Sequence, residues 1–228
     1  RARDENGRVA MDMRVVVGKA MSTQTPVFSS QMTHVILRPY WNVPAGILGR
    51  EIVPAVARDR GYLARKNYEV MTHDGKVVTS GRVSDAILTQ LRAGRLMVRQ
   101  KPGPANSLGL VKLMFPNEYN VYLHDTPSPE LFSRSRRDFS HGCIRVENAA
   151  GLAAWVLRNN PGWTLERVRR EMQHGKDDVI VNLAKPVPVF IVYATAVAYE
   201  SGDVHFYDDI YGHDAELAAA LAKGYPHS

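Results

Sequence analysis

Cys143 is the sole cysteine in 228 residues. It stands in the run Ser140-His141-Gly142-Cys143-Ile144-Arg145, and a second histidine, His124, lies upstream in "YNVYLHD". A free cysteine titrates near ~8.5, so at neutral pH its thiol is mostly protonated and needs a base before it can attack a carbonyl. An imidazole within reach takes that proton and holds the resulting ion pair. Two imidazoles are candidates here. If Cys143 begins or ends a strand, a period of two puts His141 on its face. His124 must arrive from a neighbouring strand, with residues 125–139 as the connection. Gly142 permits a sharp turn and a close approach of substrate. The N–H groups of Gly142 and Cys143 are then candidate donors to a carbonyl oxygen as it becomes negative, each typically worth around 3 kcal/mol of the barrier. Arg145 shares the face of Cys143 and suits a substrate carboxylate in a fork geometry.

Other chemistry is open to the same residues. A lone cysteine can be a small buried hydrophobe. His124, His141 and Cys143, with Asp125, could bind zinc, although no CxxC or HExxH run accompanies them. A single cysteine excludes an internal disulfide framework and says little about compartment. Lys and Arg number 29 against 23 Asp and Glu, giving a net charge of +6 and a pI of about 9.5. That balance favours anionic partners: nucleic acid, a membrane surface or a carboxylate-rich polymer. No basic run or groove-reading motif supports nucleic acid. No apolar run approaches the roughly 20 residues that span a bilayer.

The elements that must position these residues read as follows. "MDMRVVVGKA" and "THVILRPYWNVP" predict strands, and Asn6-Gly7 predicts a turn before them. From Ile47 the spacing becomes helical, with Pro54 near a start or a break. "YEVMTHDGKVVTSG" predicts a hairpin around Asp74-Gly75, and "SDAILTQLRAG" a helix capped by Ser84 and stopped by Gly94. "RLMVRQ", "GLVKLMFPN" and "YNVYLHD" return to strand. The helices "NAAGLAAWVLRNN" and "TLERVRREMQHG" follow, the second capped by Thr164 and stopped by Gly175. Strands "DVIVNL", "VPVFIVYATAVAYE" and "DVHFYDD" and a short helix "DAELAAALAKG" complete the chain. Strands dominate and helices sit at the edges, which predicts an α+β, mainly β, fold. Residues from about 45 to 105 read as an inserted subdomain.

The run "HDTP" from His124 followed by "SHGCIR" from Ser140 resembles the signature of the L,D-transpeptidase (YkuD-type) catalytic domain. "TPVFSSQMT", "PYWNVP", "RQKPGPANSLGLVKLMFPN" and "DIYGHD" are similar to its longer Gram-negative, periplasmic branch, which carries a capping insertion. The resemblance covers nearly the whole chain, residues 1–228. It implies a β-sandwich-like domain with peripheral helices, and a capping subdomain at about 45–105. It implies that Cys143 attacks the diaminopimelate carbonyl of a donor tetrapeptide stem and releases D-Ala. The thioester then passes to an amine, giving a 3→3 crosslink in peptidoglycan. His124 matches the family's base, and the backbone carbonyl of Asp125 would orient it. Tyr122 matches a tyrosine of the oxyanion region, and Trp41 an aromatic wall of the pocket. Carbapenems would acylate Cys143. No metal or cofactor is implied. Arg145 replaces the family's common Asn, as the long branch often does. That branch frequently has Ser at the position of His141, which makes His141 the less essential histidine. The same chemistry fits an L,D-carboxypeptidase or endopeptidase, and a catalytically silent wall-binding domain would keep the fold. Beginning at Arg-Ala-Arg-Asp and lacking an upstream strand, the sequence reads as part of a longer periplasmic protein with a membrane anchor.

Overall fold

The structure is a computed structural model and describes residues 1–199 and 201–224. A short hairpin, β1 (Ala2–Arg3) and β2 (Val9–Met11), opens the chain around Gly7. Strands β3 (Val15–Gly18) and β4 (Phe28–Leu37) follow. The predicted single strand across "MDMRVVVGKA" is thus two, broken at residues 12–14, and its halves pair with different partners.

Residues 41–100 build a separate four-stranded sheet. Its strands are β5 (Trp41–Asn42), β6 (Tyr68–Met71), β7 (Val77–Thr79) and β8 (Met97–Gln100), in the order β5-β8-β6-β7. The predicted hairpin is β6–β7, with Gly75 at φ +91°. Between β5 and β6 lie α1 (Ala45–Ile47), a π-helical turn (Leu48–Ile52), α2 (Val53–Arg58) and α3 (Tyr62–Arg65). Pro54 sits in the first turn of α2, where its missing N–H costs little. Helix α4 (Asp85–Arg92) is capped by Ser84, whose hydroxyl accepts from the Ile87 N–H, and Gly94 follows it at φ +66°. Val56, Leu63, Val70, Leu88, Leu91 and Val98 give this region its own apolar core.

The chain then returns to the first sheet through β9 (Val111–Met114), β10 (Leu123–His124), β11 (Asp138–Ser140) and β12 (Ile144–Val146). Helices α5 (Ala149–Val156) and α6 (Leu165–His174) precede the long strand β13 (Val179–Ile191). Asn148 and Thr164 cap the two helices through their side chains. A hairpin of β14 (Ala196–Ala198) and β15 (Val204–Phe206) leads to α7 (Asp214–Ala222). The predicted strand "VPVFIVYATAVAYE" is divided between β13 and β14, and its last residue, Glu200, lies outside the described residues. The main sheet is mixed and seven-stranded, in the order β11-β3-β12-β10-β9-β4-β13. The architecture is α+β, mainly β, with helices at the periphery.

Register decides what each face of this sheet carries. Val35 pairs with Leu113, Leu113 with Leu123, and Leu123 with Ile144. That row joins the apolar core with Leu152, Ala153, Val156 and Val168 of α5 and α6. One residue along each strand, Ile36 pairs with Lys112, Lys112 with His124, His124 with Arg145, and Arg145 with Val16. Side chains alternate along a strand, so this second row faces away from the helices.

Candidate active site

His124 reaches the site on the two-residue strand β10, which is held parallel to β12 and antiparallel to β9. The predicted strand "YNVYLHD" is shortened to these two residues. The Asn117 side chain turns the preceding segment by bonding the backbone at 115, 119 and 121, and Asn120 takes φ +54°. Cys143 immediately precedes β12, and the Ile144 N–H donates to the Tyr122 carbonyl (3.0 Å). The Tyr122 ring lies 5.8 Å from that of His124, and Cys143 lies beside Tyr122.

The His124 ring is buried, and its Nδ1 lies 2.5 Å from the Asp125 carbonyl oxygen. A carbonyl only accepts, so Nδ1 carries the proton and Nε2 keeps its lone pair. Burial, reinforced by the Arg145 and Lys112 charges, pushes the His124 pKa down to about 3. At neutral pH the ring is an uncharged acceptor. The Asp125 carboxylate accepts from the Leu110 N–H (2.9 Å) and packs on Gly109, where a Cβ would collide with it; Gly109 also has φ +62°. The backbone around His124 is therefore fixed from both sides.

Cys143 is half-buried and donates weakly to the Asn120 carbonyl (3.7 Å), as a thiol does. Burial raises its pKa, while hydrogen bonds from the Tyr122 backbone and side chain and the Lys112 charge act in the opposite sense. The Tyr122 side chain lies beside Cys143 and the Trp41 indole. Burial and the neighbouring sulfur push its pKa far up, so it remains a donor.

Two expectations from the sequence change here. Residues 141–143 form a turn, with Gly142 at φ +110°, so strand alternation does not apply to His141. Its Nε2 instead meets Glu51 Oε1 at 2.7 Å, across to the π-helical turn of the inserted region. The Gly142 N–H, expected as an oxyanion donor, is committed to Ser140 Oγ (3.1 Å), and that hydroxyl donates on to the Cys143 carbonyl (2.5 Å). A serine under the turn takes the donor that the spacing suggested was free. The Cys143 N–H has no partner among the described residues. His141, Gly142 and Cys143 line a cleft of about 250 Å³ with Gln24, Pro26 and Tyr119.

Lys112 is a site residue that motif reading did not find. Its ammonium stands 3.9 Å from the centre of the Tyr122 ring, and it lines an adjoining cleft of about 140 Å³ with Tyr122, Asn117 and Asn120. Only the β9–β10 register reveals it, by placing it opposite His124. Neither Lys112 nor Arg145 has an ion pair among the described residues, and Arg145 Nε is buried without a hydrogen bond. Asp178 and Glu130 act on them only electrostatically. Two cations without an ion pair among the described residues flank one neutral imidazole, an arrangement suited to an anionic ligand. Among the described residues no group of three His, Cys, Asp or Glu is placed to hold a metal ion. No helix among them is long and apolar enough to cross a membrane.

A family model, the L,D-transpeptidase catalytic domain (YkuD), matches residues 3–189. A Haemophilus influenzae protein named "Putative L,D-transpeptidase" is 33% identical over 215 residues, which is 94% of this chain and 42% of that protein. The chain thus spans less than half the length of that relative.

Proposed function

The chain belongs to the YkuD family of L,D-transpeptidase catalytic domains, and from that premise we propose that it crosslinks peptidoglycan through a thioester on Cys143, outside the cytoplasm. The observation that carries the proposal is the sheet register. It sets His124 beside Arg145 on parallel neighbouring strands, with the Tyr122 ring against His124 and Cys143 beside Tyr122.

The donor is a tetrapeptide stem presenting a diaminopimelate carbonyl to the sulfur. The Cys143 proton passes to His124 Nε2, and the thiolate adds to the carbonyl carbon. The Cys143 N–H and the Tyr122 hydroxyl are the donors for the oxyanion. As the intermediate collapses, the carbon–nitrogen bond breaks and the leaving D-Ala amine takes the proton back from His124. An acceptor side-chain amine then attacks the thioester, its proton goes to His124, and the sulfur is released. Asp125, through its carbonyl, holds the tautomer that leaves Nε2 free. Arg145 and Lys112 meet the carboxylates of the stem, and Trp41 walls the pocket through Tyr122. A carbapenem acylates the same sulfur by opening its lactam amide.

The inserted region at about 45–105 acts as a cap over the donor. It touches the site through Glu51 on His141, and Trp41, on the strand that pairs with its β8, stands beside Tyr122. By keeping water from the thioester it favours aminolysis over hydrolysis. The test is incubation with purified tetrapeptide stems, followed by mass spectrometry. Crosslinked dimers and free D-Ala are expected, both abolished in Cys143→Ala. Tripeptide without dimer in the presence of amine acceptor would identify a carboxypeptidase instead. No reaction and no carbapenem adduct would leave a wall-binding domain. Removing the Glu51 contact is expected to raise the ratio of hydrolysis to crosslinking.

A further inference from the structure

The family match ends at residue 189, yet the chain continues into an ordered segment that returns to the nucleophile turn. Tyr211 is its point of contact. The Tyr211 hydroxyl donates to the Gly18 carbonyl (2.8 Å) and accepts from the Thr25 N–H (3.3 Å). The Thr25 hydroxyl accepts from the Gly18 N–H (2.9 Å) and donates to the Gly142 carbonyl (2.9 Å). Gly142 belongs to the turn that presents Cys143. A continuous line of hydrogen bonds thus runs from Tyr211 through Thr25 to the residue before the nucleophile. Its neighbours reinforce it: the Thr23 hydroxyl and the Lys19 N–H both donate to the Ser140 carbonyl (3.1 Å each). The room for this packing is sequence-specific. A Cβ at Gly18 would fall inside the Thr23 carbonyl, so the 19–25 loop closes only over glycine.

Tyr211 is itself held rather than merely resting there. Its ring stacks on Tyr193 at 5.1 Å and 15°, and its N–H donates to the Tyr193 hydroxyl (3.1 Å). That hydroxyl donates to Asp209 Oδ1 (2.6 Å). The Asp209 carboxylate also accepts from the N–H groups of Gly212, His213 and Asp214. The segment is a preformed turn with one hydroxyl aimed at the 18–25 loop.

We propose that this C-terminal segment is a buttress of the active site, and that Tyr211 is a positioning residue which fixes the Gly142–Cys143 turn through Thr25. The inference rests on the acyl-transfer reading for its functional consequence, but not for its structural one. An acyl transfer needs the Cys143 N–H aimed at the oxyanion, whereas alkylation by iodoacetamide needs only the thiolate. Tyr211→Phe keeps the ring stack and removes the hydroxyl. Its carbapenem acylation rate is expected to fall about tenfold, because small displacements in a site cost rate steeply, while its iodoacetamide rate and thermal midpoint stay near those of the parent. Amide hydrogen exchange over residues 140–144 should quicken in the same variant. Thr25→Val should reproduce both effects, and the double variant should be no worse than the poorer single, since both break one line. Unchanged exchange at 140–144 in Tyr211→Phe, or additive losses in the double variant, would overturn the inference. A parent protein that no carbapenem acylates would refute the functional reading instead, and the exchange data would still decide the role of Tyr211.

Discussion

The two faces of the seven-stranded sheet differ by one residue along each strand and by almost everything else. On one, Val35, Leu113, Leu123 and Ile144 meet the helices in an apolar core. On the other, Lys112, His124 and Arg145 stand in register, with no carboxylate among the described residues paired to either cation. The first face lowers the free energy of folding. The second carries buried charge and a neutral imidazole, which lower stability and, in the proposed function, serve the bound stem. If the proposed function holds, substitutions on the two faces should fail in different ways.

The largest contrast is between Cys143→Ala and Leu113→Ala. The first should abolish D-Ala release while the thermal midpoint stays close to the parent's. The second removes a fully buried side chain and should cost about 2–5 kcal/mol of stability, with the remaining folded protein still forming a thioester. Calorimetry and a stem-peptide assay on both variants test this. Equal loss of stability in the two would erase the distinction between the faces.

A second contrast uses acid. His124 is held neutral in the folded state, with a pKa of about 3 against an ordinary 6.5. Between those values the unfolded chain binds the extra proton, so stability falls as pH drops below 6.5 and is unaffected by this group above it. Denaturant midpoints measured across that window should decline less steeply in His124→Gln, by up to about one proton. Parallel curves would mean that His124 is solvated.

Smaller still is Lys112→Met. Loss of a half-buried cation that has no ion pair among the described residues should leave stability unchanged or raise it by about 1 kcal/mol, while donor turnover falls about tenfold. A fall in both would make Lys112 part of the supporting structure.

Much of this was visible in the residues alone. Cys143, His124 and Arg145 stood out in the sequence as candidates because their residue types fell in one motif, and the sheet register sets His124 beside Arg145. The hairpin at Asp74-Gly75 and the helices capped by Ser84 and Thr164 were legible because caps and left-handed glycines are local signals. Lys112 and Glu51 were not, and the quoted run "DIYGHD" gave no sign that its Tyr211 meets the nucleophile turn, since each reaches the site only through pairing or packing between distant segments. His141 and Gly142 line the cleft with Cys143, but their orientation differs from the expected one for a different reason. Strand alternation was carried into a turn whose geometry is set by Gly142 at φ +110° and by the Ser140 hydroxyl beneath it.

The most direct measurement is the intact mass of the protein after brief exposure to a tetrapeptide stem, in the parent and in His124→Gln. The parent should gain the acyl tripeptide on the peptide that contains Cys143, with D-Ala released in step. His124→Gln should stay unmodified by the stem yet still react with iodoacetamide. Acylation that proceeds equally well without the imidazole, or that appears on any residue other than Cys143, would contradict the account.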